Sequence, residues 1–201
     1  MIRAALPLFA TAALLAACQR STETPAAPAE PAATPQAAPA APAGKADPKA
    51  IWSRGVGALG AHTPFTVEAV QAAFPDAKVE TAFLHAGGAP VPIITAFMDD
   101  TTALELQGGP DGKVSRILVQ GGGFHGPQGE TLLQKWPDAK FTPADCRMGE
   151  GRQVNAVVCK RAPADPIEYV FGVPGWTSSD MPPADVLAAR AQLNEFVWTR
   201  P

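Results

Sequence analysis

Apolar residues after residue 50 recur in two patterns, and each pattern predicts one kind of element. Val67, Val70 and Phe74 return at the three- and four-residue spacing of a helix. Thr63 or Thr66 can cap this helix, and Pro64 suits a first turn. Short runs of β-branched and aromatic residues, bounded by Gly, Pro and Asp, predict strands. The predicted strands cover residues 56–61, 78–85, 91–98, 101–106, 113–120, 140–141, 154–160, 167–173 and 193–199, and a short late helix covers residues 184–191.

The order of elements then repeats in part. Leu132, Leu133 and Trp136 predict another helix, and the letters PDAK follow both this helix and the first one, at residues 137–140 and 75–78. Many strands with few helices predict an α+β fold, in which a mostly antiparallel sheet has helices on one face. The repeated order points to two tandem β-α-β-β-β units.

The chain begins with a segment of another kind. One positive charge, Arg3, precedes an apolar run of about 14 residues, which is shorter than the roughly 20 that a membrane-spanning helix needs. The run matches a secretory signal peptide, and its last letters, LAAC ending at Cys18, resemble the lipobox of bacterial lipoproteins. We therefore expect residues 1–17 to be removed and Cys18 to carry a lipid anchor. Gln19 stands where inner-membrane lipoproteins typically carry Asp, so the resemblance implies the periplasmic face of the outer membrane.

The segment after the signal peptide is rich in proline and alanine. Residues 18–50 hold seven prolines and twelve alanines and almost no large apolar side chain. Proline disfavours helix, and so few apolar groups cannot offset the entropy of ordering the chain. We expect a disordered tether here and one folded periplasmic domain over residues 51–201, which is the length of a single domain.

Charge and cysteine content narrow the functions open to that domain. Residues 51–201 carry 12 Lys and Arg against 16 Asp and Glu, scattered without a basic run, which speaks against a nucleic-acid partner. Cys146 and Cys159 are an even pair in an exported protein and bracket a glycine-containing turn, so we expect a disulfide between two hairpin arms. A redox pair or metal ligands are the alternatives, although the chain has no C-x-x-C motif and no histidine beside either cysteine.

Residues able to carry catalysis are few. The three histidines, His62, His85 and His125, show no zinc-site spacing, and no serine lies in a G-x-S-x-G elbow. We therefore expect no catalytic residue, no metal and no cofactor. A periplasmic hydrolase is the alternative, and it would use His125 with Asp99 or Asp100, which otherwise form a solvated turn. A carrier of lipid or another small ligand is a further alternative, which needs an apolar cavity between sheet and helices.

Two loops are candidates for binding. Glycines at residues 121–123 and 126 precede a predicted helix, where backbone amides can cradle an anion, but no Lys follows the last glycine, so a flexible loop explains them better. Trp176 lies among prolines and glycines after a strand, and such a tryptophan is either an anchor over the core or a recognition surface. Trp176, Asp180 and Met181 are the candidate partner surface.

Short motifs stand in a fixed order between residues 53 and 201: GVG at 55–57, TPF at 63–65, GKVSRI at 112–117, Cys146 and Cys159, GW at 175–176, MPP at 181–183 and FVWTR at 196–200. Together they resemble the RpoE-regulated lipoprotein family (YfeY-like), a bacterial domain of unknown function. The chain departs from the family pattern at residues 177–180, which read TSSD where Gly-Pro-(Asp/Glu)-Gly is usual, and at residues 126–129, which read GPQG. The resemblance implies an envelope lipoprotein linked to outer-membrane stress and brings no catalytic residues.

The sequence therefore predicts a lipoprotein of the outer membrane with a non-catalytic periplasmic domain. The lipid on Cys18 would bind the membrane, and the domain would bind an envelope protein or a small ligand.

Overall fold

The computed structural model of the chain describes residues 47–85 and 88–201. The signal peptide, Cys18 and the tether up to residue 46 lie outside the described residues. Within the described ranges, no helix is long and apolar enough to cross a membrane. Residues 47–50, which the sequence assigns to the end of the tether, are part of the described structure, and Ala50 is buried where it bridges to His125.

The described residues form eleven strands and three short helices. The helices are α1 (Val67–Ala73), α2 (Trp136–Ala139) and α3 (Ala184–Arg190). The strands are β1 (Ile51–Trp52), β2 (Gly55–Val56), β3 (Leu59–Gly60), β4 (Lys78–Leu84), β5 (Val91–Met98), β6 (Thr101–Gly108), β7 (Val114–Val119), β8 (Cys146–Met148), β9 (Ala156–Cys159), β10 (Ile167–Gly172) and β11 (Gln192–Thr199).

Eight of the strands form one antiparallel sheet, in the order β4-β5-β6-β7-β11-β10-β9-β8. Each half of the sheet is a meander, and the two halves meet where β7 pairs with β11, so that Leu118 lies opposite Val197 and Ile117 opposite Trp198. The strands β1, β2 and β3 form a separate small sheet. Neighbouring residues of β7 and β11 therefore alternate between the two faces of the large sheet.

One face of the large sheet, here called the core face, carries the main apolar core. Val56 of the small sheet, Val70 of α1 and Leu187 of α3 are fully buried in the same cluster as Phe196 and Trp198. The opposite face, here called the open face, carries a smaller buried cluster. It consists of Leu118, Val158, Val170 and Val197.

The expectation of an α+β fold is wrong, because the described chain is mostly β. Its helices α1, α2 and α3 have only seven, four and seven residues, whereas one sheet has eight strands. The β-α-β-β-β unit is also wrong. The strands before α1 belong to the separate small sheet, and α3 interrupts the second half of the large sheet between β10 and β11.

Individual elements of the first half follow the sequence pattern closely. The predicted strand over residues 91–98 is β5, and the predicted first helix is α1. The helix begins after Thr66, whose side-chain oxygen accepts a hydrogen bond from the Ala69 N–H at 3.2 Å. Of the two capping residues that the sequence allows, Thr63 and Thr66, the helix uses Thr66, and Pro64 lies before its first turn.

Two predictions in the second half are wrong. Leu132 and Leu133 lie in a loop and not in a helix, because their segment pairs with β11: the Leu133 N–H donates to the carbonyl of Leu193 at 2.7 Å. No strand forms at residues 140–141. Lys140 ends α2 with a left-handed φ of 56°, and a strand needs an extended backbone there.

The hairpin of β8 and β9 is closed at its base by a disulfide. Cys146 and Cys159 lie directly opposite each other in the register, with their Cα atoms 4.0 Å apart, and their sulfurs are bonded. The loop between the two arms, residues 149–155, is here called the strap. A covalent bond at its base limits how far the strap can move from the sheet.

The strap crosses the open face and contacts distant strands. Arg152 donates to Glu105 on β6, and Gln153 donates to Glu195 on β11 at 2.9 Å. Glu195 also accepts a hydrogen bond from Gln120 at 2.7 Å. Both glutamates are buried, so these donors supply the partners that a buried carboxylate needs.

A second buried carboxylate system lies near the other end of the second half. Glu130, which is only 3% exposed, pairs with Arg161 at 2.8 Å. Arg161 also donates to the carbonyl of Ala139 at 2.6 Å, and its guanidinium lies 3.9 Å from the ring centroid of Phe141. The pair therefore joins the loop before α2 to the end of that helix and to the turn between β9 and β10.

Removal of one member of this buried ion pair should lower the free energy of unfolding far more than removal of one member of an exposed ion pair. The variant Arg161→Met leaves the Glu130 carboxylate buried without its cation, so we expect the free energy of unfolding to fall by about 3–5 kcal/mol in urea denaturation. The double variant Arg161→Met with Glu130→Gln should recover part of that loss.

The matched control is Arg147→Met. Arg147 is 54% exposed and pairs with Glu168 at 3.0 Å, so its loss should cost less than about 1 kcal/mol. Equal losses for the two single variants would contradict the role given to the Glu130–Arg161 pair.

Candidate functional site

A cleft of about 460 Å³ opens at the end of the large sheet where β7 ends and β11 begins. Phe124, Leu132 and Leu133 form its apolar wall, and Gln120 and Asn194 are among its polar residues. The glycine loop, residues 121–123, borders it. A mostly apolar cleft with a few polar groups is the usual form of a binding site.

Leu133 is the residue that sets this cleft apart. Its φ of 65° lies in the left-handed region, which costs a leucine about 1–3 kcal/mol. Its side chain is 70% exposed, so burial of the side chain does not offset that cost. A strained backbone that holds an apolar side chain in solvent indicates binding more than packing.

The neighbours of Leu133 explain why its backbone does not relax. The Leu133 N–H donates to the carbonyl of Leu193 at 2.7 Å, and the Leu193 N–H donates to the carbonyl of Gln134 at 2.9 Å. The side chain of Gln134 accepts a hydrogen bond from the Thr131 N–H at 3.0 Å. These bonds fix the chain on both sides of Leu133 against the start of β11.

The earlier part of the same loop folds around Glu130. The Gly126 N–H donates to the carbonyl of Glu130 at 2.8 Å, and the Gln128 N–H donates to its carboxylate at 2.9 Å. A Cβ atom on Gly126 would collide with that carboxylate. The buried pair of Glu130 and Arg161 thus determines the path of the loop that presents Leu133.

Asn194 reaches the cleft through a β-bulge. In the pairing of β10 with β11, Val170 lies opposite Glu195 and Phe171 opposite Leu193, so Asn194 has no residue opposite it. Bulges redirect a side chain and are common beside functional sites. Among the described residues no side-chain hydrogen bond engages the Asn194 amide, which can both donate and accept.

The apolar surface continues from the cleft onto the strap. Gln120 and Asn194 also line a second groove of about 270 Å³, which includes Val154 of the strap. Val154 is 63% exposed. Two exposed apolar side chains, Leu133 and Val154, therefore stand beside adjoining recesses that share a rim of two amides.

The glycines of the glycine loop allow the backbone to pack closely against neighbouring side chains. Gly122 and Gly123 have φ of 72° and 70°, which glycine adopts freely. A Cβ atom on Gly122 would lie 2.9 Å from the side chains of Ala103 and Met98. The helix that was predicted to follow these glycines is absent up to residue 135, so they do not border a helix N-terminus able to hold an anion.

His125 is engaged at both ring nitrogens. Nε2 lies 3.0 Å from a carboxylate oxygen of Asp47, and Nδ1 lies 3.3 Å from the carbonyl of Gly126. The hydrogen bond with Asp47 raises the pKa of His125, and the same bond lowers the pKa of Asp47. The pair fastens the first described residues to the loop after the glycines.

Asp99 and Asp100, the carboxylates named with His125 for a hydrolase, form the turn between β5 and β6. Both have positive φ, 53° and 61°, and both are exposed. In the part of the chain that the structure describes, no hydrogen bond or ion pair joins either of them to His125, which pairs with Asp47 instead. Residues 47–85 and 88–201 contain no group of three or more His, Cys, Asp or Glu side chains able to hold a metal ion.

The loop around Trp176 has the contacts of an anchor. The Trp176 indole N–H donates to the carbonyl of Asp180 at 3.0 Å, and the Asp180 N–H donates to the hydroxyl of Ser178 at 3.0 Å. Trp176 and Met181 are half-buried and pack against the main core, whereas Asp180 is exposed. No residue of this loop is among those that line the cleft.

Sequence reasoning missed Leu133 and Asn194 as site residues. Leu133 fell in a predicted helix and Asn194 in a predicted strand, because local spacing carries no information on a bulge or on pairing with a distant strand. The signal that could have warned against the helix is the GPQG run at residues 126–129, since proline and two glycines are poor helix formers.

Comparisons with known proteins give a family but no activity. The model of a family described as a protein of unknown function, DUF1131, matches residues 40–200. A crystal structure of the uncharacterized protein YfeY from Escherichia coli is similar, with a TM-score of 0.62 and 26% sequence identity over 74% of this chain and 97% of that one. No curated protein matches the chain. Neither the family nor the YfeY structure gives a sign of catalysis.

The pair of His125 and Asp47 should make stability depend on pH. Because its folded pKa is raised, His125 contributes stability below its unfolded pKa of about 6.5 and loses it as the pH rises through the folded pKa. Asp47, with its lowered pKa, loses its part as the pH falls through its own folded pKa. The melting temperature of the wild type should therefore exceed that of Asp47→Asn at pH 5.5, and the two should converge at pH 8.5.

The difference in melting temperature between the two proteins can be compared across pH, because all their other titratable groups are the same. A difference between wild type and Asp47→Asn that is the same at both pH values would show that the hydrogen bond to His125 does not persist in solution.

Proposed function

The chain belongs to the DUF1131 family of proteins of unknown function, and we propose that it is a non-catalytic binding protein of the bacterial cell envelope. In this proposal the lipid on Cys18 holds the chain at the periplasmic face of the outer membrane, and the tether lets the folded domain reach its partner. The partner is an envelope protein that inserts an apolar side chain into the cleft beside Leu133.

The observation that carries this proposal is the strained, exposed Leu133. Several contacts fix its backbone, and its side chain stands in solvent beside the wall formed by Phe124 and Leu132. A preformed apolar recess loses little conformational entropy when a partner binds. The amide of Asn194 on the rim suits a peptide backbone, which offers both a donor and an acceptor.

The charged groups support binding without chemistry. A general base must reach the proton that it takes, and His125 is held by Asp47 and by a backbone carbonyl. The space between the core face and the elements that cover it is filled by aromatic rings: Phe141 lies 4.9 Å from Tyr169 and 5.7 Å from Phe171 between centroids. These contacts favour a surface cleft over an internal carrier cavity.

The cleft proposal predicts a conflict between stability and binding at Leu133. The variant Leu133→Gly removes the backbone strain and little buried surface, so we expect it to be more stable by about 1 kcal/mol, which is about 2–4 °C in melting temperature. The same variant should lose capture of the partner by a photo-crosslinker placed at the exposed Thr131 in cells.

Phe83→Gly is the matched control for capture, because Phe83 is a similarly exposed apolar residue, 58% exposed, on the edge strand β4. It should leave crosslinking at Thr131 unchanged. If capture persists in Leu133→Gly but is lost in Trp176→Ala, the partner surface is the Trp176 loop and the proposal for the cleft is wrong.

A further inference from the structure

A further recess, lined by polar side chains, lies between the strap and the open face. It measures about 470 Å³ and lies among Arg116 of β7, Thr199 of β11, Arg147 of β8 and Glu168 of β10, with Gln153 of the strap at its border. Arg116 and Thr199 are direct neighbours in the register of the two central strands. The recess is therefore built on the middle of the sheet, where the backbone is held on both sides.

Arg116 differs from the other cations of the recess because no described residue neutralises it. Its Nε atom is buried without a hydrogen bond, and no hydrogen bond or ion pair joins the side chain of Arg116 to the residues that the structure describes. An arginine stays charged at any pH that proteins tolerate, and a part-buried charge without a partner costs free energy. Arg116 therefore lines the recess with its Nε atom buried.

The lining of the recess holds two cations, Arg116 and Arg147, and two carboxylates, Glu150 and Glu168. Arg147 lies 3.0 Å and Lys160 lies 3.9 Å from the same oxygen of Glu168, so these two cations already exceed the charge of that carboxylate. Glu150 also lines the recess, but it is exposed to solvent. Because Glu168 is already paired in this way, Arg116 is the cation of the lining that has no partner among the described residues.

We infer that this recess binds an oxyanion, the carboxylate or phosphate group of a small molecule, on the guanidinium of Arg116. A planar guanidinium with fixed geometry matches both groups through paired hydrogen bonds. The hydroxyl of Thr199, which lies beside Arg116 on the open face, adds a donor to the same oxyanion. This site lies on the open face and is separate from the cleft beside Leu133.

The test measures the melting temperature of the whole protein at fixed ionic strength, with sodium phosphate or sodium acetate replacing sodium chloride. A bound anion stabilises the folded state, so the wild type should show a saturating rise of about 5–10 °C at roughly a hundred times the dissociation constant. Arg116→Met should show no such rise. Arg116→Lys keeps the charge without the planar fork and should need a higher anion concentration.

Arg54→Met is the matched control, because Arg54 is an exposed arginine outside the recess and its loss changes the net charge equally. It should respond to anions as the wild type does. Saturation by phosphate alone or by acetate alone assigns the site to that group. A rise that persists in Arg116→Met, or that grows with concentration without saturating, overturns the inference.

Discussion

The buried ion pair between Glu130 and Arg161 is the contact on which the loop beside the cleft depends. Its carboxylate is only 3% exposed, so the loop before α2 must bring both Arg161 and the Gln128 N–H to it. Arg161 in turn binds the last carbonyls around α2 and lies over Phe141. Once these partners are in place, the loop has little freedom, and it meets β11 with Leu133 in the left-handed region.

The two faces of the large sheet are covered in different ways. The core face is closed by three short helices and a small sheet, and its burial supplies most of the hydrophobic stabilisation. The open face keeps a small apolar cluster under a strap that a disulfide closes at its base and two buried glutamates hold at its tip. The cleft beside Leu133 and the recess around Arg116 therefore lie on elements whose backbone is fixed, which favours specific binding.

The sequence predicted local elements well and long-range contacts poorly. Helix α1 and strand β5 lie where spacing and capping place them, because those signals act over a few residues. Leu133 was assigned to a helix because its apolar neighbours have helical spacing, but the Glu130–Arg161 pair joins residues 31 positions apart and overrides that local preference. The α+β prediction failed because the pairing of eight strands in one sheet depends on contacts between residues far apart in the chain. The bulge at Asn194 has no sequence signal either.

Amide hydrogen exchange at Leu133 tests most directly whether the buried pair holds the strained loop. The Leu133 N–H is bonded to the carbonyl of Leu193, so its exchange reports opening of the loop, whereas amides of β7 and β11 report opening of the sheet. Measured by NMR on the whole protein, Glu130→Gln should speed exchange at Leu133 and Gly126 by at least about tenfold and leave the central strands protected. Unchanged protection at Leu133 in that variant would contradict the account.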